Sequence, residues 1–589
     1  MRFDQARSMR LSMSWLHTWS GLVLGWLLFA IFVTGTLSFF RNEITFWMQP
    51  ELHRVKTNGL ALSRAQEILE QEAADSPMWI ITLPGARNPT LGLAWRADAP
   101  RPVAKTTHSR RGGEARGENY GNRHEGGEGR PQFEKNNASA SAAGNTTSSR
   151  PGMKRLTLDP ATGEALTARE TAGGDFLYRF HFELYGLEPG WGRWIVGIAT
   201  MFMLVAIVSG VIVHRNIFKD FFTFRTGKGK RSWLDAHNAS SVFSLPFHLI
   251  ITFSGLLLLG NLLLPSAVQS AFQGDSRAYM QSVRGGNTPV TPPSGERAPL
   301  TDLSALLAFT EQVWNGQPIG SITVNHPGDR RATVELRAAN MDSLMGGRGA
   351  ARILRFDGVS GQTLDMPAVA PPSIVQSVWN IQVMLHRGFF ASPVPRWLLF
   401  LAGVGGSLMI ATGLVMWSIA RAKAREKLSF GHRLVDVLNV AGIAGLLIAI
   451  GAHFWANRLI PADLAHRGDW EIKVFFIAWS ASCIHALLRK RKTAWIEQLV
   501  CAGALIAALP ILNALTGGLS LPGSVEQGRW LLAGFDICAL AIGGGLLFAA
   551  HKVMLHTPKF RVTKAASAID TESKLSFPDF AQLQTEEPA

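Results

Sequence analysis

Apolar residues run almost unbroken from Ser14 to Phe40, in SWLHTWSGLVLGWLLFAIFVTGTLSFF, and a run of that length reads as a membrane-spanning helix. The span takes in about 13 to 40. Further runs follow at approximately 191 to 214, 241 to 265, 396 to 420, 434 to 457, 470 to 488, 494 to 517 and 529 to 552. The pattern predicts a polytopic α-helical membrane protein of about eight spans. The first run is too long and too rich in aromatic residues for a signal sequence, and no small-residue cleavage site follows it, so it is read as retained.

Two long polar segments separate the early spans, roughly 41 to 190 and 266 to 395. In the first, LSRAQEILEQEAA has the period of an amphipathic helix, MWIITLPG reads as a strand, and KRLTLDPATGEAL reads as strand, turn, strand around Asp159 and Gly163. In the second, LTDLSALLAFTEQVW is the helix, IGSITVNH and RATVELRAA are strands, and RILRFDGVSGQTL turns at Asp357 and Gly361. Each segment is therefore expected to be a small α+β module outside the membrane. The polar, Gly- and Arg-rich tract at about 98 to 152 interrupts the first and has the composition of a disordered insertion. Spans two and three, at 191 to 265, are joined by a basic loop, and span four covers 396 to 420. A four-span bundle at 430 to 556 and a tail at 557 to 589 complete the chain.

Charge fixes an orientation. Arg2, Arg7 and Arg10 precede the first span, Arg215, Lys219, Arg225, Lys228, Lys230 and Arg231 follow the second, and Arg421 to Lys427 follow the fourth. The run RKRK at Arg489 to Lys492 follows the sixth span, and Lys552 to Lys564 follow the eighth. All fall on one side, so both termini are expected in the cytoplasm and both modules outside it. The net charge of +15 is then explained by topology and contact with anionic lipid, with no nucleic-acid partner required. Cys483, Cys501 and Cys538 all lie in spans without cluster spacing, which argues against disulfides and iron–sulfur centres.

The histidines repeat with the modules. His17 lies 18 residues before Gly35, and His237 lies 18 residues before Gly255, at equivalent cytoplasmic-side positions on spans one and three. His181 lies 29 residues before Gly210 and His386 lies 27 before Gly413, a second pair at the other face. His214 follows Gly210 by four residues where Trp417 follows Gly413, and the counterpart of His248 is Leu28. The first four spans read as an internal duplication. His248 lies about 16 Å beyond His237 along a helix, about halfway across a ~30 Å core. Histidines on facing helices at two membrane levels suit axial ligation of b-type haem, which needs no covalent attachment motif. His17, His214 and His237 gather on one side and His181 and His386 on the other, so the three inner histidines exceed the two axial positions of one haem.

WLHTWSGLVLGWLLFAIFVTG, the LDPATGE turn, the FHFELYG and GRWIVGIATMFMLVAIVSGVIVH block and MLHRG resemble the PepSY-associated transmembrane proteins of bacterial inner membranes, which include ferric-siderophore reductases. The resemblance covers residues 10 to 420. It implies two PepSY-like periplasmic modules, haem b in two copies, and a haem-ligand set drawn from His17, His181, His214, His237, His248 and His386. It further implies reduction of iron(III) held by a siderophore in the periplasm, with periplasmic iron-binding proteins as possible partners.

The chemistry is coherent on its own terms. Iron(III) is a hard ion gripped by anionic oxygen chelators, and one-electron reduction weakens that grip without destroying the chelator. GKGK, GVGGS and GGGLL lack the strand, turn, helix context of nucleotide loops, so electrons are expected from a quinol or a separate cytoplasmic donor. A haem-free protein-binding or regulatory protein and a transporter are the competing classes. The first four spans carry only Glu43, near a boundary, which weighs against proton-coupled transport.

Overall fold

The computed structural model describes residues 2 to 556 except 57–58, 97–151, 215–216, 223–224, 226–228, 276–277, 280–281, 283–291, 342, 348–350, 365–370, 389–391 and 422–429. The expected disordered insertion and the C-terminal tail lie outside the described residues.

Among the described residues, helix α1 (Arg2–Ser38) leads through the short α2 (Arg41–Trp47) to α3 (Leu62–Glu72) and the strands β1 (Met78–Thr82), β2 (Leu91–Arg96) and β3 (Met153–Leu158). The chain returns through α4 (Gly173–Glu183) into α5 (Pro189–Val213), then α6 (Lys230–Phe243) and α7 (Leu245–Leu258). A second excursion follows the same order, with α8 (Leu303–Val313), β4 (Ile319–Asn325), β5 (Thr333–Ala338) and β6 (Ile353–Asp357). It returns through α9 (Ile374–Arg387) into α10 (Pro393–Ala420). The chain closes with α11 (Phe430–Leu459), α12 (Arg467–Leu488), α13 (Arg491–Ala507), α14 (Leu509–Leu515), a short helix Leu521–Glu526 and α15 (Trp530–Leu555).

Six described helices are long and apolar enough to cross a membrane, and up to eight spans result if each of two bent pairs counts as one. Eight spans, as expected, result only if both bent pairs cross. α6 and α7 meet at 66° and α13 and α14 at 42°. Each break precedes a proline, Pro246 and Pro510, whose missing N–H and ring clash with the preceding turn interrupt a helix.

The first strand and the turn of each expected strand, turn, strand segment form where the sequence placed them, but the strand expected after each turn is reduced to a single bridge, Leu158 to Ala165 and Phe356 to Thr363. Gly163 N–H donates to the Asp159 carbonyl at 2.8 Å and Gly361 N–H to the Asp357 carbonyl at 3.0 Å, closing the two turns. Both glycines have φ near +70°, the left-handed region that a side chain resists. Strand β2 has no counterpart in the sequence reading. The two segments expected as α+β modules are joined in the structure. One antiparallel six-stranded sheet, ordered β3-β2-β1-β4-β5-β6, joins both excursions through β1 and β4, with Ile80 opposite Thr323 at its centre. Unjoined, each would leave an edge of unpaired backbone groups. Trp79, Ile81, Leu93, Ile322, Val324, Leu336 and Phe356 are buried in one cluster with Leu62 and Leu69 of α3 and Leu303 and Leu306 of α8. Each such aliphatic side chain contributes roughly 1.5–3 kcal/mol.

Candidate functional site

The bundle brings four of the six candidate histidines into two pairs. His17 on α1 and His237 on α6 lie 6.3 Å apart between ring centroids, and His181 on α4 and His386 on α9 lie 6.1 Å apart. The twins of the sequence are partners in space.

All four rings are anchored alike. His17 Nδ1 donates to the Ala206 carbonyl, His181 Nδ1 to the Ile31 carbonyl and His237 Nδ1 to the Met409 carbonyl, each at 2.8 Å. A carbonyl only accepts, so Nδ1 carries the proton and Nε2 keeps its lone pair. His386 reaches the same tautomer by another partner: its Nδ1 lies 2.8 Å from Ser254 Oγ, whose own proton goes to the Ile250 carbonyl. Each ring also lies against a glycine. A Cβ added at Gly35 would stand 2.6 Å from His181 Nδ1, and one at Gly210 3.0 Å from His17 Cε1. At Gly413 it would stand 3.2 Å from His237 Cε1, and at Gly255 3.3 Å from His386 Cε1. In the first three cases the accepting carbonyl belongs to the residue four before that glycine, one helical turn away. The glycines that served as sequence landmarks are the surfaces that admit the imidazoles.

Gly35 and His17 share α1, and 18 residues at helical rise separate them by about 27 Å, so the two pairs occupy opposite ends of the bundle. Burial and then the neighbouring His181 push the pKa of His386 down to about 3, and burial lowers that of His181. Both outer imidazoles are thereby held in the neutral form that binds metal.

The remaining two candidates stand differently. His214 is the C-cap of α5 and lies near enough to His237 of the first pair for the two to interact electrostatically. His248 is buried on α7 against Phe32, and a Cβ at Gly406 would stand 2.8 Å from its Nε2. The Ala402 carbonyl lies close to that ring, yet neither ring nitrogen has hydrogen-bond geometry with a described residue. His248 repeats the glycine platform without a facing imidazole.

A cavity of about 530 Å³ adjoins the His181–His386 pair, lined by those two residues, Gly35, Gly255 and the cationic Arg41, Arg193 and Arg387. Two imidazoles bonded to one metal at roughly 2 Å, each nitrogen about 1 Å from its ring centroid, are separated by roughly 6 Å. Both pairs match that spacing. No group of three or more His, Cys, Asp or Glu is placed to hold a bare ion among the described residues, so a metal here would bring its other ligands with it.

Sequence reasoning missed a buried polar network between the last helices and the first excursion. Arg467 and Glu471 of α12, both fully buried, form an ion pair at 2.5 Å. Asp536 of α15 accepts from Trp47 Nε1 at 2.9 Å, and Arg458 donates to the Trp47 carbonyl. Isolated charges in apolar runs were its only trace in the sequence.

A bundle of apolar helices holding paired neutral imidazoles beneath an antiparallel sheet defines an integral membrane protein with two candidate metal-centre positions. The family model of the PepSY-associated TM region matches residues 14–419, and the chain belongs to that family. The matched region ends at the close of α10, leaving the helices from α11 onward outside it. An uncharacterized protein of Pseudomonas aeruginosa is 26% identical over 360 residues, which cover 57% of this chain and 86% of that protein.

Proposed function

We propose that the protein is a haem b-containing oxidoreductase of the bacterial inner membrane that carries electrons outward and reduces iron(III) held by a siderophore in the periplasm. The reading rests on one observation above the others: two imidazole pairs, at opposite ends of one bundle, with the same tautomer fixed and the spacing a shared metal requires. His17 with His237 would hold the inner haem and His181 with His386 the outer. Haem b supplies four equatorial nitrogens and a one-electron centre, so two imidazoles complete its coordination.

The residues present fit the group. The outer cavity is long enough in apolar wall, through Leu28, Phe39, Leu258 and Leu262, to exclude water from a flat ring, and Arg41, Arg193 and Arg387 offer partners for its carboxylates. Hydrogen bonds from Nδ1 to carbonyls orient each imidazole and raise its basicity. In this reading the first four spans are an internal duplication bearing two PepSY-like modules, and the termini are cytoplasmic. A quinol or a cytoplasmic reductant supplies the electron, and iron(III) in the chelate accepts it to leave as iron(II).

Four of the five buried carboxylates among the described residues weigh against a proton-coupled transporter, the fifth, Asp536, being held by Trp47 Nε1. Glu43 is paired with Arg87 and Arg396, Glu183 with Arg193, Asp235 with Arg225 and Glu471 with Arg467, which leaves none of these four as a mobile proton carrier. The test is the absorption spectrum of the protein purified from haem-replete cells. A dithionite-reducible, low-spin b-type spectrum is expected, and a colourless preparation would overturn the reading.

A further inference from the structure

We infer that the C-terminal helices act as a clamp on α4, with Glu471 the positioning residue that sets where His181 stands. The inference rests on the reading of His181 as a ligand to the outer haem.

Helix α4 has eleven residues and begins at Gly173-Gly174, with no side-chain cap of its own. The first N–H groups of a helix have no intrahelical acceptor. Here three other groups supply them. Ala172 N–H donates to Glu471 Oε2 at 2.9 Å, Gly173 N–H to Thr171 Oγ1 at 3.0 Å, and Gly174 N–H to Thr45 Oγ1 of α2 at 3.0 Å. Thr171 is itself held, its hydroxyl donating to Glu471 Oε2 at 2.8 Å. One carboxylate from another part of the chain thus caps α4 directly and through Thr171, and its negative charge suits the positive end of the helix.

Glu471 is fixed in turn. Arg467 and Asn457 donate to its Oε1 at 2.5 and 2.7 Å, and Arg467 also donates to the Glu170 carbonyl at 2.8 Å. A Cβ at Gly174 would stand 2.6 Å from the Arg41 Cα, and one at Gly468 3.1 Å from the Ala172 nitrogen, so the backbones on either side have no slack. Below the cap, Phe176 and Phe180 pack on Phe475, at 5.1 and 5.9 Å between centroids. The clamp therefore holds α4 from its first N–H to the residue before His181. A shift of α4 along its axis would carry His181 with it, because the ring lies on Gly35 with no room to compensate.

The test compares the full-length wild type with Glu471→Ala, Glu471→Gln and Thr171→Val. Two readouts are taken: amide hydrogen exchange at residues 172–174 in protein prepared without haem, and redox titration of the two haem transitions. Glu471→Ala is expected to speed exchange there about tenfold. It should also shift or split the outer transition and leave the inner one in place, which serves as the control for folding. Glu471→Gln keeps an acceptor and should restore part of both effects, and Thr171→Val should move both in the same direction by less. Unchanged exchange together with an unchanged outer transition would overturn the clamp, as would equal shifts of both transitions. A wild-type protein that binds no haem would remove the functional reading instead, and exchange would then decide the clamp alone.

Discussion

Helices α4 and α9 deliver partner histidines to one site and are secured by opposite means. α9 caps itself: Ser373 accepts from the Gln376 N–H and the Gln376 side chain accepts from the Ser373 N–H, a complete capping box, and Gly388 ends the helix in the left-handed region. α4 starts on two glycines and borrows its cap from α12 and α2. The first device is written within four residues. The second joins positions 300 residues apart, so one half of the outer site is locally encoded and the other depends on the assembled bundle.

The comparison breaks most severely at the histidines. His181→Ala and His386→Ala should each abolish the outer transition and lower total haem by roughly half, because one axial ligand does not hold a low-spin centre. Pyridine haemochrome content and redox titration check this, and two intact transitions with unchanged midpoints would remove both residues from the ligand set. His17→Ala should do the same to the inner transition and spare the outer.

Glycines sharpen it. Gly35→Ala places a methyl 2.6 Å from His181 Nδ1, closer than real contacts allow, and should weaken the outer site by about 1–3 kcal/mol. Gly255→Ala places one 3.3 Å from His386 Cε1, where a shift of tenths of an ångström suffices, and should retain most haem. Haem-dissociation rates of the two variants should rank in that order.

Acid should loosen the borrowed side first. His53 is buried beneath the last helices, with Nε2 near the Phe46 and Trp47 carbonyls and Nδ1 accepting from the Leu519 N–H at 3.3 Å. Burial, followed by the charge of Arg458, pushes its pKa from 6.5 down to about 3. The unfolded chain takes up the proton first, so its contribution is complete above about pH 6.5 and declines as pH falls towards 3. The loss is roughly 2 kcal/mol by pH 5. Thermal unfolding across pH 7.5 to 5 should show the decline, and His53→Gln should flatten part of it. The smallest effect belongs to α9: Ser373→Ala should cost about 1 kcal/mol, read as faster amide exchange in its first turn with no change at α4.

Much of this was legible in the chain. Apolar length gave the spans, and Asp159 and Asp357 gave the turns, because both signals are local; the strand expected after each turn shrinks to one bridge. The histidine twins were visible as equal offsets from glycines. What those glycines did was not, since a ring lying on Gly35 comes from a helix more than 140 residues away. His214 and His248 entered the candidate set by their levels in the membrane; the packing sets His248 against Phe32 and leaves His214 near His237. Strand β2 escaped because LGLAWR is short and borders the Gly- and Arg-rich tract. The joining of β1 to β4 is a tertiary choice that neither strand announces.

That joining also orders the birth of the molecule. Ile80 meets Thr323 only after spans two and three have been threaded into the bilayer, so β1 waits with a bare edge while more than two hundred residues are synthesised. Closing so long a loop is slow, and an exposed edge in the meantime invites wrong partners. Biogenesis therefore has its hazard at a definite moment, between synthesis of the first segment and arrival of the second, and a chain interrupted before Ile319 would leave that strand with nothing to complete it.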